Sequence, residues 1–407
     1  MKCGLLGRKL GHSYSPQIHA LLGNYSYQLF EKEPEEIGDF LKNGDFTGLN
    51  VTIPYKKEVI PFLDELSPAA ARLGAVNTIV RRDGKLIGHN TDYFGFRRLV
   101  QESGLQVAGK KVLVLGSGGA SSTAVAVLQE LGAKVTVISR SGENNYENLD
   151  RHADAAVIAN TTPVGMYPNT GKSALSLEGF PRLEGVLDAV YNPARTQILL
   201  DAERRGLAAV NGLWMLVAQA KESAEWFTGE KIPDSRIAKI HHALRLQMEN
   251  IILIGMPGCG KTAVGQQLAQ KLCKKFVDSD ESLEARVCRK ITDIIPNDGE
   301  AAFREMESET LAELGKQSGL VIATGGGCVT QPQNYPLLHQ NGTIFWLKRE
   351  LDKLPTDGRP LSQKGTLGQM YEARMPLYLR FADAAISNDG SIAETAAAIC
   401  RKLEETT

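Results

Sequence analysis

Gly255-Met256-Pro257-Gly258-Cys259-Gly260-Lys261-Thr262 has the G-x-x-x-x-G-K-[ST] spacing of a phosphate-binding loop. The apolar run Ile251-Ile252-Leu253-Ile254 before it reads as a buried strand, and the amphipathic run from Ala263 to Cys273 after it reads as a helix. Glycines let the backbone wrap with its N–H groups pointing inward, and the helix N-terminus adds positive potential. In that setting Lys261 reaches the β/γ-phosphates and the Thr262 hydroxyl sits on Mg²⁺. The alternative is a glycine-rich turn that binds nothing, but both the spacing and the flanks favour the phosphate loop. The chain beyond the loop is long enough for one nucleotide-binding domain, so the residues before it need a separate account.

The chain has 407 residues, 43% hydrophobic and 23% charged, with a formal net charge of -1. That length suggests two or three domains with real cores. A near-neutral balance gives no whole-chain argument for nucleic acid. The 6 cysteines include no C-x-x-C pair, which argues against a zinc site or a disulfide framework and for a reducing, cytoplasmic setting. No signal-peptide pattern stands at the start, and no apolar run approaches the ~20 residues of a membrane span. Neither nucleic acid nor a membrane is therefore expected as a partner; oligomeric state is not readable.

The first part alternates strand and helix patterns, the α/β signature. Strands are expected at 3–6, 25–30, 46–52 and 75–80. A second unit opens at Lys111-Val112-Leu113-Val114-Leu115, runs into Gly116-Ser117-Gly118-Gly119-Ala120-Ser121, then into a helix from Thr123 to Leu131 and a strand at 135–138. This is a dinucleotide-binding βαβ unit with Ser121 at the third glycine position. NAD sites usually carry an acid after the second strand; here Arg140 stands between Ser139 and Ser141. A guanidinium suits a ribose 2′-phosphate, so NADP is favoured over NAD, the alternative being a solvated arginine. Further strands are expected at 155–159 and 185–190, and a long helical run starting at Asn211-Gly212 returns to the first domain.

Several polar residues before residue 103 admit a local reading. Ser15 with Pro16 reads as a helix N-cap followed by Pro at N1, which leaves Ser13 unexplained; the pair could also seat a carboxylate. Lys56 could be solvated, and Asp92 could be a cap. Asn77, in an otherwise apolar strand, needs a partner.

Together these residues stop looking local. His12-Ser13-x-Ser15-Pro16, Asn50-Val51-Thr52-x-Pro54-x-Lys56, Gly74-Ala75-Val76-Asn77-Thr78, Asn90-Thr91-Asp92, Gly116-x-Gly118-Gly119-Ala120, Asn160-Thr161-Thr162-Pro163-x-Gly165-Met166 and Gly212-x-x-Met215-Leu216-x-x-Gln219-Ala220 stand in order. In this respect residues 1–247 resemble the shikimate dehydrogenase family. The resemblance implies a substrate domain over 1–102, completed by 213–247, and a Rossmann NADP domain over 103–212. It implies that Ser13 and Ser15 hold the substrate carboxylate, and that Thr52, Asn77, Asp92 and Gln219 contact ring hydroxyls, with Tyr191 also on the substrate. Lys56 and Asp92 would be the catalytic pair. Gly116, Gly118, Gly119, Ala120, Ser121, Ser139, Arg140, Ser141, Thr161, Gly212 and Met215 would hold NADP(H).

Residues 241–249 read as a short join without a Gly/Ser-rich or Pro-rich linker. Beyond the phosphate loop, Phe276-Val277-Asp278-Ser279-Asp280 reads as a strand whose two acids point the same way, one for Mg²⁺ and one for an acceptor hydroxyl. Arg304 and Glu307 share a helix face and could form a surface pair. Gly325-Gly326-Gly327 follows a buried strand. Asp357-Gly358-Arg359-Pro360-Leu361 suits a lid, and Arg374-x-Pro376-x-Tyr378 lies on a helix pattern.

By these motifs residues 250 to about 405 resemble the shikimate kinase family, which implies a P-loop, nucleoside-monophosphate-kinase-like α/β domain with a parallel sheet over 250–407. The resemblance implies ATP on Gly258, Cys259, Gly260, Lys261, Thr262, Ala263 and Arg359, with Mg²⁺ at Thr262 and Asp278. It implies shikimate on Asp280, Arg304, Gly326 and Arg374, and catalysis by Asp280 and Lys261. The stretch from Leu347 to Arg359 is shorter than the family leads one to expect, so no adenine contact is assigned. The expectation is a bifunctional enzyme that reduces 3-dehydroshikimate and phosphorylates the new hydroxyl. The alternatives are a quinate/shikimate dehydrogenase joined to a kinase and an inactive ligand-sensing regulator; Lys56, Asp92, Lys261 and Asp280 argue against the regulator.

Overall fold

The computed structural model describes residues 1–11, 13–354 and 367–405. The chain divides into two compact units: residues 1–166, 172–191 and 198–243 form one, and residues 167–171, 192–197 and 244–407 form the other.

The first unit contains two sheets. One has the order Ser26–Glu31, Lys2–Gly7, Gly48–Val51, Thr78–Arg82, Lys85–His89, Glu65–Leu66. Its first three strands are parallel, and Thr78–Arg82 runs antiparallel to both neighbours. The other sheet is wholly parallel, in the order Ala208–Val210, Gly185–Asp188, Val157–Asn160, Lys111–Leu115, Lys134–Ile138. Val112 to Leu115 are fully buried, as expected of a strand covered on both faces. The chain leaves Lys111–Leu115 first to one side and then to the other. That reversal opens a crevice at the carboxyl ends of the strands, where Gly116, Arg140 and Thr161 all fall.

The Leu213–Thr228 helix returns to pack on the Asp92–Glu102 helix. The two approach closely at Gly95, where a Cβ would stand 2.6 Å from the Met215 carbonyl oxygen. The backbone is equally crowded at Gly212, where a Cβ would meet the Ala189 carbonyl oxygen at 2.1 Å.

The second unit holds a parallel sheet in the order Lys275–Asp278, Leu320–Ala323, Asn250–Ile254, Gly342–Lys348, Ala384–Ser387. Ile251–Ile254 is buried, and the phosphate-loop helix Lys261–Lys271 comes next. Gly260, with φ of 95°, makes the turn into that helix in a conformation few other residues adopt. The long Ile291–Lys316 element breaks at Gly299 (φ 90°), so the helix bearing Arg304 starts at Glu300.

Four local expectations change. The short join at 241–249 is helical: residues 241–248 are the last turns of the Ser235–Met248 helix, and Asn250 begins the next strand at once. In the 75–80 stretch the strand begins only at Thr78: Val76 N–H bonds to the Lys56 carbonyl instead of a neighbouring strand, while Asn77 still meets His89 and Val51 at the sheet's end. Ser15 is the first residue of its helix, not the cap; Tyr14 stands at the N-cap, and the Ser13 Oγ accepts from the Ser15 N–H at 3.2 Å. Asp280 is not on a strand. The strand ends at Asp278, which caps the Ser279–Val287 helix by accepting from the Asp280 N–H at 3.0 Å. Among the described residues no helix is long and apolar enough to cross a membrane.

Candidate active sites

In the first unit, Lys56 lies just past the turn after Gly48–Val51, and Asp92 opens the Asp92–Glu102 helix. They meet: Lys56 Nζ donates to Asp92 Oδ2. The Asp92 side chain is 10% exposed and that of Lys56 25%. Asn77 supplies the partner arrangement its burial demands. Its Nδ2 donates to Asp92 Oδ1 at 2.9 Å and to Thr91 Oγ1 at 3.0 Å, while its Oδ1 accepts from the Thr91 N–H at 2.7 Å. Gln219, on the returning helix, accepts from Thr91 Oγ1 at 3.3 Å and faces Asn77 Nδ2 at 3.5 Å. Residues far apart in sequence thus converge on one lysine–carboxylate pair. Asp92 is therefore more than a helix-end residue: both of its oxygens are engaged, and neither caps its own helix.

Thr52 closes the strand end, its N–H donating to the Leu6 carbonyl at 3.0 Å. Tyr191 is half-buried and packs edge-on to Tyr14, ring centroids 6.2 Å apart. Burial raises its phenol above the usual range, so it stays a neutral hydrogen-bonding group.

The cofactor crevice has the form a pyrophosphate needs. Gly116 takes φ of 111°, and Ser121 Oγ donates to the Gly116 carbonyl at 2.7 Å, bracing the turn. Gly118 and Gly119 start the Gly119–Glu130 helix, and a Cβ on either would meet nothing within 4 Å. That open face at a helix N-terminus fits a dinucleotide phosphate. Thr161 Oγ1 is turned back to the Leu115 carbonyl at 2.6 Å. Ser139, Arg140 and Ser141 come directly after the Lys134–Ile138 strand, with Arg140 exposed at the crevice end of the sheet.

In the second unit, a cavity of about 450 Å³ is lined by the phosphate loop, Asp278, Asp280, Arg304, Gly325 to Gly327 and Arg374, among others. Lys261 Nζ donates to the carbonyls of Gly255 and Met256 at 2.9 and 3.1 Å. Thr262 Oγ1 donates to Asp278 Oδ2 at 3.0 Å, which places the two expected Mg²⁺ groups side by side. No cluster of three His, Cys, Asp or Glu suited to a metal ion occurs among the described residues. A hydroxyl and one carboxylate fit Mg²⁺, which keeps waters and takes phosphate oxygens.

Arg304 and Glu307 are not a surface pair. Their side chains are 7% and 2% exposed and bond at 2.8 Å. Arg374 Nη1 donates to the Gly326 carbonyl at 3.3 Å, and Tyr378 OH to the same oxygen at 2.5 Å. Asp280 Oδ1, Glu307 Oε1 and Arg304 Nε are buried without a hydrogen-bond partner among the described residues. Unpaired buried polar atoms are costly, so three around one cavity mark a place for a polar ligand. Burial first, then the charges of Asp278 and Glu307, push the Asp280 carboxyl up to about 6. Arg359 and the 357–361 lid expectation lie outside the described residues, as does His12.

Two supports escaped the sequence reading. Asn388 Nδ2 donates to the Cys259 carbonyl at 2.6 Å and Thr395 Oγ1 to Asn388 Oδ1 at 2.7 Å, holding the phosphate loop from the last strand. Ser279 Oγ accepts from the Gly325 N–H at 3.1 Å, tying the triple glycine to the Asp280 helix. Asn388 and Thr395 belong to no motif, and Ser279 holds the variable position between Asp278 and Asp280; only the fold shows what they reach.

Both parts of the chain are similar to known proteins. The model for the shikimate dehydrogenase substrate binding domain matches residues 5–79, and that for shikimate kinase matches residues 257–404. The shikimate dehydrogenase (NADP(+)) of Clostridium perfringens is 38% identical over 264 residues, which cover 60% of this chain and 97% of that protein.

The chain belongs to the shikimate dehydrogenase family.

A shikimate kinase domain comes after the dehydrogenase part. Among solved structures, shikimate dehydrogenase 1 from Peptoclostridium difficile is 39% identical, with a TM-score of 0.56 over 60% of this chain and 98% of that one. A chorismate mutase/shikimate 5-dehydrogenase fusion protein from Clostridium acetobutylicum is 36% identical, with a TM-score of 0.57 over 60% of this chain and 96% of its own. The shikimate dehydrogenase similarity thus accounts for the first unit's two sheets, and the shikimate kinase match for the parallel sheet around the phosphate loop.

Proposed function

We propose that this chain carries out two successive reactions on one ring carbon: NADPH-dependent reduction of 3-dehydroshikimate to shikimate, then ATP-dependent phosphorylation of the hydroxyl just formed. The supporting observation is the Lys56–Asp92 contact, clasped by Asn77 and Gln219 and absent from any local reading of the sequence.

NADPH supplies the hydride. Reduction builds negative charge on the ketone oxygen, and Lys56 Nζ can stabilise that charge and donate the proton while Asp92 keeps the ammonium aligned. Asn77, Thr52, Gln219 and Tyr191 would orient the ring, and Ser13 and Ser15 its carboxylate. Arg140 would pair with the 2′-phosphate, between Ser139 and Ser141. Gly116, Gly118, Gly119, Ala120 and Ser121 would cradle the pyrophosphate, with Thr161, Gly212 and Met215 beside them.

In the second unit, Arg304 and Arg374 would hold the shikimate carboxylate and Gly326 the ring. Asp280 would orient and deprotonate the acceptor hydroxyl, and its raised pKa suits a base working near neutrality. Lys261, the N–H groups from Gly258 to Ala263, and Mg²⁺ on Thr262 and Asp278 would offset the charge on the phosphates. We place the protein in the cytoplasm, acting on small molecules without nucleic acid or membrane.

The test is a single incubation of purified protein with NADPH, MgATP and 3-dehydroshikimate, with the products read by mass spectrometry. Shikimate 3-phosphate is expected; its absence defeats the reading. Replacing NADPH by NADH, and shikimate by quinate in the reverse assay, measures how strict the first site is.

A further inference from the structure

Behind the Lys56–Asp92 pair lies a buried hydroxyl that no motif includes. Ser223 sits one turn after Gln219 on the Leu213–Thr228 helix and is 0% exposed. Its Oγ has four polar neighbours: Asn50 Nδ2 at 2.7 Å, Thr78 Oγ1 at 2.9 Å, Thr91 Oγ1 at 3.0 Å, and the Gln219 carbonyl, to which it donates, at 2.9 Å. These partners come from three other elements as well as its own helix. Asn50 is on Gly48–Val51, Thr78 on Thr78–Arg82, and Thr91 immediately before Asp92.

A hydroxyl has one proton to give and two lone pairs. With the proton on the Gln219 carbonyl, Ser223 Oγ accepts from Asn50 Nδ2 and from one threonine hydroxyl. That arrangement restricts the rotors of Thr78 and Thr91. Thr91 in turn meets Asn77 Nδ2 and Gln219 Oε1, and Asn77 Nδ2 donates to Asp92. Thr78 and Thr91 are both 0% exposed, so no solvent is available to replace a missing partner.

We propose that Ser223 is a positioning residue for the reduction: it sets the orientation of Asn77, Gln219 and hence Asp92 without touching substrate. The proposal rests on the reading of Lys56 and Asp92 as the proton-handling pair. Without the hydroxyl, the Asn50 amide and one threonine lose a partner and the network reorders. The carboxylate then points less closely along the path of the developing charge, which lowers turnover more than it weakens binding.

The test compares wild type, Ser223→Ala and Ser223→Cys in the full chain, measuring kcat and KM of the dehydrogenase and the kinase rate in the same preparations. Ser223→Ala should lose roughly ten- to a hundred-fold in dehydrogenase kcat. Its KM for NADPH and its kinase rate should stay near wild type. Ser223→Cys, which keeps the size and a weak donor, should lie between the two. A dehydrogenase kcat within twofold of wild type in Ser223→Ala overturns the proposal. So does a loss spread equally over kcat and both KM values, which marks a general loosening of the helix. If Ser223→Ala does not fold, the Cys variant decides by the same criteria. A wild-type protein without dehydrogenase turnover would instead defeat the functional reading on which the proposal stands.

Discussion

At the residue scale, the two candidate sites each hold a largely buried carboxylate, but in opposite settings. Asp92 has both oxygens engaged, by Lys56 and by Asn77. Lys56→Ala should lower dehydrogenase kcat roughly a hundred- to ten-thousand-fold with little change in KM, read by NADPH absorbance. Asp280 instead has one buried oxygen without a partner among the described residues, and burial pushes its carboxyl up to about 6. Phosphorylation should therefore fall as pH drops below about 6, because the protonated acid cannot accept the hydroxyl proton. The same shift affects stability. A carboxyl whose folded pKa is raised stabilises the fold below its unfolded pKa, and that contribution is lost as pH rises through about 6. Asp280→Asn should consequently abolish phosphorylation yet stabilise the second unit by roughly 3 kcal/mol at pH 8, with little difference at pH 4. Urea unfolding measured at the two pH values checks the sign.

At the element scale, the dehydrogenase site depends on how closely two helices approach. Gly95 lets the Asp92–Glu102 helix rest on the Leu213–Thr228 helix, the first carrying Asp92 and the second Gln219. Gly95→Leu should force them apart and reduce dehydrogenase kcat/KM by roughly a hundred-fold, because misplacement of about 1 Å at a reacting group has that effect. Kinase activity in the same sample should persist. The periodic apolar runs and glycine spacings made most strands and both nucleotide-binding turns legible. The returning helix was legible as a helix, but its contact with Asp92–Glu102 was not, since Gly95 carries no signal until the partner backbone is present. The expected strand position of Asp280 failed for a related reason. Alternation cannot show that Asp278 leads straight into a helix it caps.

At the scale of the whole molecule, two compact units carry two chemistries on the same intermediate. Lys261→Ala should lower phosphorylation at least roughly a hundred-fold while NADPH oxidation continues, since it removes a preorganised cation from the phosphates. Lys56→Ala should do the reverse when shikimate is supplied. In a one-pot reaction with labelled 3-dehydroshikimate, added unlabelled shikimate should dilute the label in the phosphorylated product fully if the intermediate is released free. Retained label means hand-over between sites.

The sequence by itself determined the two nucleotide-binding turns, Lys261 among them, and the α/β class of both units, because those features are written in local spacing; Lys56, Asp92 and Asp280 stood out only through the family resemblance. Only the tertiary structure decided which side chains share a pocket, that Arg304 and Glu307 are buried together, and that Ser223 and Asn388 stand behind the reacting groups. The physical reason is that a buried polar side chain is defined by its partners, and those partners come from strands and helices brought together only when the cores close.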